Sequence, residues 1–111
     1  MSDLPLEIDV HTLRQMRQGG QDLVILDVRE PDEYATASIA GSILIPLGEL
    51  PNRVAELEPH RHRPIIVHCH HGGRSMRATK WLREQGYAQA QNLAGGIEDW
   101  SLQVDPSVPR Y

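Results

Sequence analysis

The segment best suited to chemistry surrounds the only cysteine of the chain and reads Cys69-His70-His71-Gly72-Gly73-Arg74-Ser75. A thiol is nucleophilic as its thiolate, and its pKa falls near a helix N-terminus and near cationic side chains. The two glycines let the main chain turn tightly, so that several N–H groups point at one place and favour an anion there. We therefore predict that Cys69 is a nucleophile and that residues 70–75 bind its substrate.

Each of these residues also has a simpler interpretation. An unpaired cysteine is commonly an inert, small, buried hydrophobe. Arg74 could be a solvated arginine at a helix start, the glycines a plain turn, and Ser75 a helix cap. A nucleophile is favoured because the cysteine, the glycines and the arginine coincide where an apolar segment ends and a helix is predicted to begin.

Histidines near this cysteine raise the question of a metal site. They are His60, His62, His68, His70 and His71. Adjacent residues on a strand point to opposite faces, and no Cys-x-x-Cys or His-x-x-x-His spacing occurs. We predict no metal site, with His70 and His71 at the mouth of a pocket and His60 and His62 in a loop.

Apolar patterning predicts the elements that position this loop. Alternating or continuous apolar runs indicate strands at residues 6–10, 23–28, 43–46, 64–69 and 90–93. Helical spacing and capping residues indicate four helices: one at 11–18, a short one that begins at Glu30, one that carries Leu50, Val54 and Leu57, and one at 75–85. A helical turn is predicted at 97–100, followed by an irregular tail at 101–111. This alternation predicts an α/β fold: a mostly parallel sheet of about five strands with helices on both faces. Cys69 then stands at the carboxyl end of a strand, where such sheets bind ligands.

Composition narrows the class of protein. The chain has 111 residues and a net charge of −4, which fits a single domain and offers no basic stripe for nucleic acid. No apolar run approaches the roughly 20 residues of a membrane span, and acidic residues at positions 1–10 argue against a secretory signal, so we expect a cytoplasmic protein. One cysteine allows no internal disulfide and no resolving thiol, so a partner molecule must discharge a covalent intermediate on Cys69. The oligomeric state does not follow from these residues.

Four segments, taken in order, identify a family. They are Leu26 to Tyr34 with its Asp-x-Arg, Ile39-Ala40-Gly41-Ser42-Ile43-Leu44-Ile45-Pro46, the Cys69 to Ser75 loop, and Leu93-Ala94-Gly95-Gly96-Ile97-Glu98-Asp99-Trp100. Together they resemble the rhodanese (sulfurtransferase) family in its single-domain form, and the resemblance runs from about Leu4 to Trp100.

The resemblance implies a mechanism that needs no metal or organic cofactor. The Cys69 thiolate takes a sulfane sulfur from thiosulfate or a low-molecular-weight persulfide, and a thiol or a protein acceptor (cyanide in an assay) removes it. In this mechanism the N–H groups of residues 70–75 stabilise the persulfide, and Arg74 makes the loop rigid and favours anionic states. Asp27 and Arg29 are assigned to ion pairing behind the loop, or to ordinary bracing of helix against strand.

Other functions stay open beside this one. Cysteine phosphatases and arsenate reductases have a similar Cys–Arg loop with five intervening residues, whereas four separate Cys69 from Arg74 here, and the tighter loop favours a single sulfur atom. The chain could also be a non-catalytic binding module, or a persulfide relay dedicated to one protein acceptor. His70 and His71 stand where thiosulfate-preferring relatives often place arginine or lysine, so the preferred donor is open as well.

Overall fold

The structure is a computed structural model that describes residues 4–111, so residues 1–3 of the acidic N-terminal stretch lie outside it. Within that range, strands and helices alternate along the chain. The strands are β1 (Glu7–Ile8), β2 (Val24–Asp27), β3 (Ile43–Leu44), β4 (Ile65–His68) and β5 (Ala90–Leu93). The α-helices are α1 (Val10–Gln18), α2 (Pro31–Thr36), α3 (Leu50–Arg53), α4 (Gly73–Glu84) and α5 (Gly96–Gln103), with 3-10 helices at Leu47–Glu49 and Val54–His60.

The five strands form one sheet in the order β1-β5-β4-β2-β3, and every neighbouring pair is parallel. The predicted α/β fold is confirmed. Because the strands are parallel, their carboxyl ends meet at one edge, and the loop after the central strand β4 leaves the sheet there. The register pairs Asp27 with both His68 and Leu44, which brings the ends of β2, β3 and β4 level at this edge.

Alternate residues of the strands face two separate cores, one on each side of the sheet. One core lies beneath α3 and α4, and the other lies beneath α1 and α5. The first contains Leu26, Val67, Leu50, Leu57, Ala78 and Leu82, and the second contains Ile25, Ile66, Leu93, Leu13, Ile97 and Trp100. The central strands are therefore apolar on both faces, which explains why β2 and β4 read as continuous apolar runs in the sequence.

The region after β3 differs from the prediction. One helix was expected to carry Leu50, Val54 and Leu57, but α3 ends at Arg53 and the chain continues as a 3-10 helix. Pro59 lies inside that 3-10 helix and lacks the N–H that an α-helical bond would need. Leu50 and Leu57 are both buried nonetheless, so the predicted apolar face is present.

The expected irregular tail at 101–111 is wrong for residues 101–103, because α5 continues to Gln103. Residues 104–111 form neither helix nor strand, yet they pack back onto the domain. Val108 is only 7% exposed, and the buried Ser101 hydroxyl donates to its carbonyl at 2.6 Å. In the part of the chain that the structure describes, no helix is both long enough and apolar enough to cross a membrane.

Candidate active site

Cys69 follows β4 directly and begins the loop that leads into α4 at Gly73. The start of α5 holds this loop from the other side: the Ile97 N–H donates to the Cys69 carbonyl at 3.0 Å, and the Glu98 N–H donates to the His70 carbonyl at 3.1 Å. Gly96 makes this approach possible, because it has φ +57° and a Cβ there would lie 2.5 Å from both carbonyl oxygens. The loop is therefore fixed between two helix N-termini.

The Cys69 sulfur sits among hydrogen-bond donors. The Gly72 N–H lies 3.1 Å from Sγ and the Ser75 hydroxyl lies 3.4 Å from it. Gly72 has φ +127°, a conformation that suits glycine and turns its N–H inward. Burial alone would raise the pKa of the Cys69 thiol, but the Ser75 hydroxyl and the N–H groups of Ser75, Gly72 and Arg74 outweigh it and lower the pKa below its usual value. This environment therefore shifts the ionisation of Cys69 towards the thiolate.

The Ser75 hydroxyl connects the sulfur to a series of hydrogen-bonded polar side chains that no sequence pattern indicated. Besides Sγ, two acceptors lie near this hydroxyl: the Asn92 side-chain oxygen and the Gly72 carbonyl at 3.2 Å. The Asn92 amide donates in turn to Glu7 at 2.8 Å. Since a hydroxyl carries one proton, Ser75 can donate to only one of its three acceptors at a time.

Arg74 turns its guanidinium to Glu33 of α2. The two side chains form a bidentate pair with N–O distances of 2.6 and 2.9 Å. Hydrogen bonds from Arg74, with smaller contributions from the Glu30 N–H and the Tyr111 hydroxyl, lower the pKa of Glu33 to about 2 against the effect of burial. The same pairing raises the pKa of Arg74, so both groups are charged at neutral pH. Arg74 thus ties the start of α4 to α2.

Three aromatic rings stack beside the loop. The His70 ring stacks on both of the others: its centroid lies 4.1 Å from that of His71 and 4.0 Å from that of Tyr111. The His70 and Tyr111 rings are nearly parallel, with an interplanar angle of 9°. Burial and the neighbouring His71 lower the pKa of His70, which favours its neutral form. His70 Nε2 is shielded from solvent and has no hydrogen-bond partner among residues 4–111. His71, the outer member of the stack, is exposed.

Asp27 and Arg29 lie behind the loop and are both fully buried. Arg29 forms an ion pair with the Asp27 carboxylate, in which the shortest N–O distance is 2.7 Å. Its guanidinium also donates to the Ala37 carbonyl and to the Tyr111 hydroxyl. His68 precedes Cys69 on the strand and is buried beside Asp27, with 3.7 Å between Nε2 and the carboxylate. Burial lowers the pKa of His68. In the part of the chain that the structure describes, these three side chains lie behind the loop and form no hydrogen bond to the Cys69 sulfur.

The structure therefore brings residues 69–75 together around one sulfur and adds partners from distant parts of the chain. The missed residues are Glu7, Glu33, Asn92 and Tyr111. Asn92 had a usable signal, because it is a polar side chain inside a short buried strand. Glu33 is an acidic residue in the first turn of a helix, a position that the helix dipole is enough to explain, and no sequence pattern marks Tyr111. His60 bonds Arg63 before β4, at the sheet edge opposite Cys69, and no three His, Cys, Asp or Glu within 4–111 are grouped to hold a metal ion.

A parallel α/β sheet with a cysteine in a main-chain N–H cradle at its carboxyl edge defines a class of cysteine-loop domains, and comparison with known proteins narrows it. A model of the rhodanese-like domain matches residues 9–103. The chain belongs to this family, and the resemblance noted in the sequence is confirmed.

Individual relatives agree with this assignment. A sulfurtransferase of Allochromatium vinosum is 34% identical over 102 residues, covering 92% of this chain and 94% of that one. Rhodanese-like/PpiC domain-containing protein 12, chloroplastic, of Arabidopsis thaliana is 36% identical over 115 residues, but the chain spans only 38% of its length. The crystal structure of a rhodanese-related protein from Thermoplasma volcanium superimposes with a TM-score of 0.81 at 34% identity, covering 96% of this chain and 100% of that one. Sulfur transfer is thus supported at the level of the family.

Proposed function

We propose that the chain is a sulfurtransferase that carries a sulfane sulfur as a persulfide on Cys69. The observation that carries the proposal is the set of donors around Sγ: the Gly72 N–H at 3.1 Å, the Ser75 hydroxyl at 3.4 Å and the N–H groups that follow. A terminal persulfide sulfur bears one negative charge, and convergent donors in a buried site stabilise such a charge. The narrow four-residue loop suits one sulfur atom better than a tetrahedral oxyanion.

The reaction divides into two balanced displacements. In the first, the Cys69 thiolate attacks the outer sulfur of thiosulfate, the S–S bond of the donor breaks, and sulfite leaves with the electron pair. A low-molecular-weight persulfide donor reacts in the same way and releases its thiol. In the second, an acceptor thiolate or cyanide attacks the outer sulfur of the Cys69 persulfide, and Cys69 leaves as a thiolate. No net oxidation or reduction of the protein occurs, which fits a ping-pong cycle.

Arg74 contributes to this cycle by holding the loop. Its guanidinium is occupied by Glu33 in two hydrogen bonds, so it is not directed at the bound sulfur. The arrangement argues against a phosphatase, in which an arginine must itself grip phosphate oxygens. Main-chain N–H groups and one hydroxyl remain as the stabilising groups around the anion.

Intact-protein mass spectrometry tests the proposal. The chain is incubated with thiosulfate or with glutathione persulfide, and Cys69→Ser serves as the matched control because it replaces one atom of a buried side chain. We expect a gain of one sulfur atom in the wild type alone, and its removal by cyanide. Absence of the adduct with both donors would reject the proposal, and hydrolysis of an aryl phosphate that depends on Cys69 would favour a phosphatase instead.

A dedicated persulfide relay is the second form that this activity could take. It differs from a small-molecule enzyme in the acceptor, since the first displacement is the same. Saturable discharge by one acceptor protein, with slow discharge by free thiols, would identify a relay. Rapid turnover with glutathione or cyanide would identify a small-molecule enzyme.

A further inference from the structure

Tyr111 contacts more of the candidate site than any sequence pattern indicated. Its hydroxyl donates to Glu33 at 2.8 Å and accepts from the Arg29 guanidinium at 2.8 Å. Its ring lies 4.0 Å from the His70 ring at an interplanar angle of 9°. Tyr111 also lies outside residues 9–103, the part of the chain that matches the family model.

The hydroxyl of Tyr111 joins the side chains of two ion pairs. Glu33 is the carboxylate that binds Arg74, and Arg29 is the guanidinium that chelates Asp27. Arg29 is fully buried, and among residues 4–111 its Nη1 has one other acceptor, the Glu33 carbonyl at 3.4 Å. Without the hydroxyl, a buried charged N–H keeps only that long contact, and such groups are costly to leave poorly paired.

The ring and the hydroxyl act on opposite ends of the active loop. Through the stack, Tyr111 restrains His70, the residue after the cysteine. Through Glu33, it restrains Arg74, whose N–H is one of the donors to the Cys69 sulfur. The cradle is formed by the main chain between these two residues, so both of its ends are held by the same side chain.

The segment that carries Tyr111 is itself fixed to α5. Arg110 forms an ion pair with Glu98 at 2.8 Å. Val108 is buried in the core beneath α1 and α5, and its carbonyl accepts from Ser101. The segment that carries Tyr111 is therefore held by contacts with α5 in addition to the contacts that Tyr111 itself makes at the active loop.

We propose that Tyr111 is a positioning residue for the Cys69 loop: by stacking on His70 and bridging Glu33 to Arg29, it holds the cradle in the shape that stabilises anionic sulfur. The loop geometry stands on the contacts above, and its consequence for sulfur transfer rests on the proposed function. Tyr111 does not touch the sulfur and takes no part in bond formation.

Two variants separate the two parts of this role. Tyr111→Phe keeps the stack and removes the hydroxyl, whereas Tyr111→Ala removes both. Tyr87→Phe is the matched control, because Tyr87 also donates a hydroxyl to a glutamate, Glu58 at 3.3 Å, but lies before β5 at the sheet edge opposite Cys69. The rate of Cys69 alkylation by iodoacetamide, followed against pH, reports the thiolate without any sulfur donor.

We expect Tyr111→Phe to raise the pKa of the Cys69 thiol by about half a unit, which slows alkylation about threefold below that pKa, and Tyr111→Ala to raise it by about one unit, a tenfold change. Tyr87→Phe should leave the profile unchanged. Persulfide formation from glutathione persulfide should fall in the same order. Thermal melts confirm that each variant is folded at the assay temperature.

The outcomes are distinct. Profiles of both Tyr111 variants that coincide with the wild type, or that shift no more than Tyr87→Phe, would overturn the proposal. If the Tyr111 variants shift the alkylation profile but the wild type accepts no sulfur from thiosulfate or from glutathione persulfide, the positioning of the loop is supported and the sulfurtransferase proposal is rejected. A shift accompanied by slower persulfide formation supports both.

Discussion

Replacement of Ser75 by alanine tests the idea that the Ser75 hydroxyl adds to the main-chain N–H groups in lowering the pKa of the Cys69 thiol. The Ser75 hydroxyl lies 3.4 Å from Sγ and is its side-chain donor. The remaining donors are main-chain N–H groups, which the substitution leaves in place. Ser75→Ala therefore removes one identified contribution and keeps the loop.

The size of the effect follows from the hydrogen bond. A hydrogen bond to a charged group contributes about 1.5–3 kcal/mol, and the lower figure applies here because the Ser75 proton must leave the Asn92 oxygen to reach the sulfur. A contribution of about 1.5 kcal/mol corresponds to about one pKa unit. We expect the pKa of the Cys69 thiol to rise by about that amount, so that the thiolate fraction at lower pH falls about tenfold.

Alkylation by iodoacetamide across a pH series measures this shift. Thr79→Val is the matched control: Thr79 is fully buried on the same helix, and its hydroxyl donates to the Ser75 carbonyl at 2.8 Å instead of to sulfur. Ser75→Ala also leaves the buried Asn92 oxygen without its donor, so thermal melts accompany the titration.

An unchanged alkylation profile in folded Ser75→Ala would refute the reasoning. It would mean that the main-chain N–H groups alone set the pKa of the thiol. An equal shift in Thr79→Val would also refute it, because the effect would then come from a general disturbance of α4.

Two further predictions concern the supports of the loop. Gly96→Ala should destabilise the fold by about 2–4 kcal/mol and raise the pKa of the Cys69 thiol, because the new Cβ meets two loop carbonyls at 2.5 Å and φ is +57°. Urea unfolding measures the loss, and Gly48→Ala is the control because a Cβ at Gly48 would meet open space. Glu33→Gln should lower the unfolding free energy by about 1–2 kcal/mol at pH 7, allowing for partial exposure of the Arg74 pair. Since pairing lowers the pKa of Glu33 to about 2, the stabilisation that this ion pair gives the fold is complete above pH 4.5 and is lost as the pH falls towards 2. The unfolding free energies of wild type and variant, measured in urea, should therefore converge at low pH. A difference between them that stays the same at every pH would contradict this role of Glu33.

Much of the fold was predictable because it depends on patterns that are local in the sequence. β2 and β4 each begin with three consecutive apolar residues, a pattern that is typical of a strand covered on both faces. The alternation of strands and helices then fixed parallel pairing. Pattern alone did not separate α-helix from 3-10 helix after Leu50, because Val54 and Leu57 are three residues apart and share a face in either kind of helix.

The site residues that were predictable are likewise those that lie close together in the sequence. Residues 69–75 were found because one short loop holds the nucleophile and its main-chain donors, and glycine at Gly72 marks the turn that aims them. Asn92, Glu33 and Tyr111 reach the loop only through tertiary structure, and their sequence separations from their partners are 17, 41 and 78 residues. No local pattern encodes such a distance, and an acidic residue in a first helical turn has an adequate local explanation already.

The electrostatics of the assembled site bear on the choice of sulfur donor. Sequence reasoning treated Arg74 as a charge available to anions, but Glu33 occupies it, and Asp27 likewise occupies Arg29. Both of these arginines are thus matched by a carboxylate, and the lowered pKa of His70 favours a neutral ring beside the loop. What remains at the sulfur is a set of N–H dipoles and one hydroxyl, which act over short range on a charge already in place and attract a distant dianion weakly. We therefore expect Cys69 to accept sulfur more readily from glutathione persulfide than from thiosulfate, and a faster gain of sulfur from thiosulfate in the mass-spectrometric assay would contradict this expectation.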